Sequence, residues 1–228
     1  MHSALTTVLA VGLCLLVLPG SSPAQSGLPV NRVLQLDGIG DYVELPVGIY
    51  DSLSAATVEA WVRWDDFGYF SQWFHYGDSF GYNHRYETGR FQLFLYDALD
   101  AGALHLAAVD TDLPPAVWHH VAVSCGPGGL RQYHNGVLVA AAPFTGCFDH
   151  AVSEEGRFEL GRGPWGTNRL FRGSLDDVHV WSYERTADQI RQSMHNPDAA
   201  PSVGLVGRWT FDASDVRDSS SRGHHGIL

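Results

Sequence analysis

Residues 131–140 read Arg131-Gln132-Tyr133-His134-Asn135-Gly136-Val137-Leu138-Val139-Ala140. Two strand-like runs flank an Asn-Gly pair, which supplies the positive φ values of a two-residue type I′ turn. The segment therefore predicts a β-hairpin, and the chain on both sides of it follows the same rule. Upstream, Thr57-Val58-Glu59-Ala60-Trp61-Val62-Arg63-Trp64 alternates strictly and is rich in β-branched and aromatic residues. Val33 to Leu36, Asp41 to Leu45, Phe91 to Tyr96, Leu104 to Val109 and Trp118 to Ser124 read as further strands. Downstream come Arg157 to Gly161, Gly173 to Trp181 and, after a linker, Gly204 to Phe211. Short strands at intervals of roughly 8–12 residues, separated by polar turns, predict an all-β fold: an antiparallel two-sheet jelly-roll sandwich. One segment departs from it. Thr186 as N-cap, Asp188 in the first turn and Ala187, Ile190 and Met194 on one face predict a short helix after the last long strand.

The chain has 228 residues, 45% hydrophobic and 17% charged, which is globular composition. Its 14 basic residues are all arginine and stand against 25 acidic ones, a net charge of −11. Such a surface repels phosphate backbones and argues against nucleic acid as a partner; a carboxylate excess suits a hard cation better. Residues 4–18 form an uncharged apolar run, too short to span a bilayer, broken by Pro19-Gly20 and followed by small residues at Ser22-Pro23-Ala24. Residues 1–24 are therefore expected to be a secretory signal peptide, which makes the remaining chain extracellular or periplasmic, with no membrane span after cleavage. Cys14 would leave with the signal. Cys125 and Cys147 then remain as a pair in an oxidising compartment, expected to form a structural disulfide rather than a redox or metal site, since no C-x-x-C is present.

Taken together, the segments resemble the laminin-G-like jelly-roll family of the concanavalin A-like lectin/glucanase superfamily. The resemblance is carried by Leu34-Gln35-Leu36-Asp37-Gly38-Ile39-Gly40-Asp41-Tyr42-Val43-Glu44-Leu45, by Thr57 to Val62, by Trp118 to Val123, by Tyr133 to Val137, and by Phe171 to Val178 with the helix that follows. It implies one jelly-roll domain over 25–197. The stretch 198–228, with Arg208-Trp209-Thr210-Phe211-Asp212 and Asp218-Ser219-Ser220-Ser221, looks like the family's usual opening segment placed at the end. It either supplies a strand that closes the same sandwich or begins a second repeat; an unpaired strand would be a costly edge, which favours closure.

The resemblance also implies a structural Ca²⁺, and residue by residue it points to Asp37, Gly38, Asp176 and Asp218. Ca²⁺ takes six to eight oxygens, so these turns would have to converge. Asp176 alternates with Val178 and Val180 and is expected on their inward face, where a carboxylate needs a partner. Asp37 and Asp41 are equally ordinary turn residues that bond their own backbone.

Catalysis has little support in the sequence. Glucanases of the superfamily place a Glu, an Asp and a Glu on alternate positions of one strand, aiming all three at one face, and no Glu-x-Asp-x-Glu occurs here. Glu59 is alone on its strand, and Glu154-Glu155 falls in a loop. Adjacent residues in a strand diverge, so Asp176-Asp177 face opposite ways and neither His119-His120 nor His224-His225 suits one metal. No catalytic residues are assigned.

Binding has more. The stretch from Trp73 to Tyr86 is aromatic, bears His and Arg, and is broken by Gly77 and Gly81. Loops on a rigid sandwich are where binding usually sits. Tyr82, His84 and Arg85 are expected as exposed ligand contacts, with Trp165 from the loop Arg162 to Arg169. Trp73, Phe74 and Tyr76 fit a buried strand equally well. The function expected is a secreted, non-catalytic lectin-like module that binds a glycan or an extracellular protein surface. A glycan-active hydrolase and an adhesion module of a larger surface protein are the alternatives.

Overall fold

The alternation at 57–64 does in space what it predicts. In the computed structural model, Val58, Ala60, Val62 and Trp64 face the core and Glu59, Trp61 and Arg63 face away. The structure describes residues 31–68, 70–77, 79–85, 88–111, 113–151, 156–164 and 169–228, and Asn31–Leu228 is one compact unit. The expected signal segment 1–24, Cys14, the pair Glu154-Glu155 and Trp165 lie outside the described residues.

The strands are β1 (Leu34–Asp37), β2 (Val43–Leu45), β3 (Ala56–Trp64), β4 (Ser71–Tyr76), β5 (Phe80–Arg85), β6 (Arg90–Asp97) and β7 (Ala103–Asp110). They continue with β8 (His119–Cys125), β9 (Leu130–His134), β10 (Val137–Ala142), β11 (Phe158–Leu160), β12 (Arg172–Trp181) and β13 (Leu205–Trp209). One α-helix, α1 (Ala187–His195), follows β12. Two antiparallel sheets result. One runs β1-β12-β3-β8-β9-β10, with β13 as its seventh strand, also on β12; the other runs β2-β11-β4-β5-β6-β7. This is the jelly-roll sandwich.

The core is the space between the sheets. Trp64 meets Phe91 edge-on at 5.3 Å between ring centroids, and Phe74 stacks on Phe158 at 5.5 Å. The Tyr82 hydroxyl reaches across to His134 Nε2 at 2.6 Å. The Asn135-Gly136 turn has φ of 49° and 75° and joins β9 to β10 as the pair predicts. Cys125 and Cys147 form a disulfide that ties the end of β8 to the segment beyond β10. Among the described residues no helix is long and apolar enough to cross a membrane.

The far end of the chain joins the same body. β13 pairs antiparallel with Val178–Trp181 of β12, while β1 pairs with Arg172–Leu175 of it. Because β3 occupies the other side of β12, the first and last strands share one side, end to end. Near Leu228, Ile227 bridges Glu44 of β2.

Between the two halves of β12 lies a bulge at Asp177, with φ 46°. It corrects the expected orientation of Asp176. Asp176 pairs with outward-facing Trp61 rather than sharing the inward face of Val178 and Val180. The extra residue of a bulge resets the period-two alternation.

Candidate functional site

Strand alternation also decides the fate of the expected 73–86 loop, whose described part through Arg85 is a β-hairpin. Gly77 takes φ 52° in its turn. Phe80, Tyr82 and His84 face the core, and Gly81, Asn83 and Arg85 face out. Tyr82 and His84, expected as exposed contacts, are therefore buried. His84 packs 4.1 Å from the Phe67 ring and 4.8 Å from Phe91, and burial lowers its pKa to about 4. Trp73, Phe74 and Tyr76 fill the core. Of the four expected ligand contacts, Arg85 is on the outer face and Trp165 lies outside the described residues.

The outer face of the six-stranded sheet carries what the hairpin does not hide. Across it, Gly81, Phe94 and Leu106 are direct neighbours, as are Asn83, Gln92 and Ala108. A Cβ at Gly81 would lie 3.0 Å from both Phe94 Cζ and Gln72 Nε2, so the missing side chain is what lets Phe94 and Gln72 close over the strand. A groove of about 500 Å³ opens here, lined by Phe70, Asn83, Arg85, Gln92, Phe94, Tyr96, Leu104, Leu106 and Arg169. Leu104 and Leu106 are 47% and 40% exposed, an apolar ledge beside the aromatic pair Phe94 and Tyr96. Asn83 Oδ1 is buried and has no hydrogen-bond partner, and both polar atoms of Gln72, next to it in β4, are in the same state. Unmade hydrogen bonds at buried amides cost about 1–3 kcal/mol each and mark places where a ligand or water completes the set. Aromatic and apolar walls with a few convergent polar groups are the chemistry of a small-ligand site.

Deeper along the same face, Arg162 donates to both oxygens of Glu159, and its guanidinium lies 3.8 Å from the centre of the Tyr42 ring. His75 Nε2 stands 3.5 Å from Glu159 Oε2. Glu44 is directly opposite Glu159 across β2 and β11. Of this pair of carboxylates the buried one, Glu159, is already held by an arginine, and Asp110 at the end of β7 on the same face is paired with Arg90.

The expected calcium residues occupy separate places. Asp37 Oδ1 accepts from the backbone N–H of Ile39 at 2.7 Å and Gly40 at 3.1 Å, and those bonds hold its carboxyl below the usual range. Gly38 turns at φ 72° against Arg172. Asp176 accepts from Asn31 Nδ2 at 3.0 Å and from the N–H of Asp177 at 2.8 Å. Asp37 pairs with Arg172, four residues from Asp176 along β12, or roughly 13 Å. Asp218 is saturated by four donors: the N–H of Arg208, the N–H and hydroxyl of Ser220, and the N–H of His224. Burial raises its pKa, but those donors outweigh burial and leave it lowered. The three carboxylates do not converge, and the described residues hold no group of three or more His, Cys, Asp or Glu placed for a metal. As a set they do not fit one calcium ion.

Sequence reasoning missed Phe70, Asn83, Gln92, Phe94, Tyr96 and Arg169 as groove residues. A signal existed. Phe91 to Tyr96 is apolar at positions of both parities, which a strand with one solvated face does not need.

Solved structures with this fold include a protein from Bacteroides ovatus inferred to bind carbohydrate, at 20% identity and a TM-score of 0.67. The match covers 88% of this chain and 58% of that one, so this chain spans less than two thirds of its length. Domain 4 of an extracellular arabinanase from Geobacillus stearothermophilus, in complex with arabinotriose, matches at 20% identity and a TM-score of 0.56, over 70% of this chain and 75% of that one. A Trypanosoma rangeli sialidase matches at 16% identity and a TM-score of 0.57, over 75% of this chain and 28% of that one. At these identities the likeness is one of fold. No curated protein matches the chain. The family model for laminin-G domains of the concanavalin A-like lectin/glucanases superfamily matches residues 37–191, most of the chain, and with the two-sheet jelly roll around it this chain belongs to that family.

Proposed function

We propose that this chain is a secreted, non-catalytic lectin-like module that binds a glycan in the groove on the outer face of its six-stranded sheet. The observation that carries the reading is the groove itself. Its aromatic and apolar floor holds a buried amide oxygen, at Asn83, with no partner in the protein. Sugar rings offer apolar faces for the first and hydroxyl donors for the second. The carbohydrate-binding neighbours of the same fold support this choice of ligand over a protein surface. The disulfide supports an oxidising compartment.

The purified chain on a glycan array should retain a defined subset of oligosaccharides, and Phe94→Ala and Asn83→Ala should each weaken that binding at least about tenfold while the protein stays folded. Binding that survives both substitutions would move the site elsewhere. Hydrolysis is the second reading, because residues directly opposite in a strand pair stand about 5 Å apart, the spacing of retaining glycosidases. Glu44 and Glu159 are such a pair. Against it, Glu159 is only 2% exposed and bound through both oxygens to Arg162. Release of reducing ends from an array-positive oligosaccharide, abolished in Glu159→Gln, would establish hydrolysis in its place.

A further inference from the structure

Resting on that reading, we infer that the glycan is N-acetylated, and that Asn83 accepts the N–H of its acetamido group while the Phe94 ring takes the methyl. Three amides stand side by side on the outer face of the six-stranded sheet. Gln72 on β4 pairs with Asn83 on β5, and Asn83 pairs with Gln92 on β6. They are 0%, 3% and 9% exposed. Asn83 and Gln92 line the groove, and Asn83 Oδ1 is a buried acceptor there with no hydrogen-bond partner. Gly81 lies two residues away along β5 on the same face, directly opposite Phe94. With no side chain in the way, the Phe94 ring leans across the strand, its Cζ 3.0 Å from where a Cβ at Gly81 would stand. An unmatched acceptor and an aromatic surface are therefore neighbours on one strand, and Leu104 and Leu106 carry the apolar surface on to β7.

An acetamido group has the matching shape. Its amide bond is planar and trans, like a peptide bond, which sets the N–H and the acetyl methyl on one side and the carbonyl on the other. Turned toward the groove floor, it delivers one donor and one methyl side by side, and its carbonyl points back to water. A hydroxyl also donates, but its oxygen brings two lone pairs of its own. Burying those without a donor is costly, and the aromatic surface beside Asn83 supplies none. Adjacent hydroxyls are matched best by a carboxylate, which accepts from two at once. Among the described residues no Asp or Glu lines this groove, although the chain as a whole is strongly acidic. The floor thus asks for one donor and much apolar contact, and an N-acetylhexosamine presents both on one edge.

The test is an array of matched pairs read with the intact chain: chitin oligomers against cellulose oligomers, N-acetyllactosamine against lactose, and chitin oligomers against their deacetylated form. Within every pair the chain retains, the N-acetylated member should bind at least about tenfold more tightly, the yield of one good hydrogen bond. Asn83→Leu keeps the size of the side chain and removes the acceptor, so it should bring that ratio close to one. Phe94→Ala should lower it, and Arg217→Gln, away from the groove, should leave it unchanged. The pairs are read on the unsubstituted chain, so a variant that fails to fold leaves the test intact. Equal binding within the pairs, or tighter binding of the plain sugar, overturns the inference and leaves glycan binding standing. Binding that follows the free amine of the deacetylated oligomers overturns it as well. A preference that survives Asn83→Leu in the folded protein overturns the assignment to Asn83. If the folded chain retains no glycan of either kind, the proposed function fails and takes this inference with it.

Discussion

The two sheets turn opposite kinds of outer face to their surroundings. On the seven-stranded sheet, the outward residue Glu59 is buried beneath the segment that leads into α1. Arg185 donates to both oxygens of Glu59, at 2.9 and 3.0 Å, to Ser193 Oγ at 2.8 Å and to the carbonyl of Gln189 at 2.7 Å, while its plane lies 3.9 Å over Trp181. Ile190 packs on Ala122 and Tyr133 beside it, and Thr186 and Gln189 close a capping box at the helix start. Among the described residues no helix covers the six-stranded sheet, and buried amides at Gln72 and Asn83 are left without partners. The first face is covered and its buried ion pair is matched within the chain, although His120 Nδ1, Ser124 Oγ, His179 Nε2 and Arg185 Nε beside it also lack partners; the second face is open and carries the groove. A sandwich can devote one outer surface to stability and leave the other for a ligand, and here the cover supplied by Arg185 and α1 is what tells the two apart.

The sharpest way to break this contrast is Arg185→Ala. Removing one partner of a buried ion pair strands the other, at a cost of about 3–5 kcal/mol, so the denaturant midpoint should fall steeply. Glycan binding per folded molecule should not change. If binding falls in step with stability after correction for the unfolded fraction, the two faces are coupled and the division is wrong.

Acid should separate them less severely. Burial holds His84 and His134 at about 4 and His120 at about 3, against 6.5 when unfolded, and it holds His179 well below the usual range. Their folded pKa values are depressed, so this stability is present above pH 6.5 and is lost as pH falls toward 4. Burial acts in the other sense on Glu59, against the pull of Arg185, and on Asp177, where Asp176 adds to it. Both rise to about 7, so they favour the fold at low pH and lose that contribution as pH rises through 7. Four histidines against two carboxyls leave a net loss on acidification, on the order of 1–3 kcal/mol per pH unit between 6.5 and 4.5. Thermal unfolding midpoints across that window should decline. A midpoint that rises toward pH 4.5 would show that Glu59 and Asp177 dominate.

The smallest effect expected is that of a chelator. With Asp37, Asp176 and Asp218 engaged separately, excess EDTA should leave the unfolding midpoint within about 1 °C. A drop of several degrees restored by Ca²⁺ would reveal an ion that stabilises the native state by mass action, held by some other set of oxygens.

How much of this was legible in the sequence follows the range of each signal. The Asn135-Gly136 turn, the alternation of β3 and the Thr186 cap are local and appear where the residues predict them. Tyr82 and His84 were misassigned because Gly77 and Gly81 look like loop punctuation, although Phe80 to Arg85 already alternates apolar and polar around Gly81. The bulge at Asp177 leaves no mark, since no glycine announces its positive φ. The pairing of Arg185 with Glu59 spans 126 residues, and Arg169 approaches Phe70 from beyond the intervening strands β4 to β11, so no local pattern encodes either.

The seam on β12, where the first and last strands meet end to end, sets the order in which this fold can be finished on the ribosome. The half of β12 from Val178 to Trp181 gains its partner on that side only after residues 205–209 have been made. Until then an edge bearing Val178, Val180 and Trp181 stands open, the kind of edge that recruits other chains. The nascent chain therefore carries an exposed, aggregation-prone margin from the making of β12 (Arg172–Trp181) until β13 (Leu205–Trp209) follows. The strand that closes the sheet thus also ends the period in which the protein is most vulnerable.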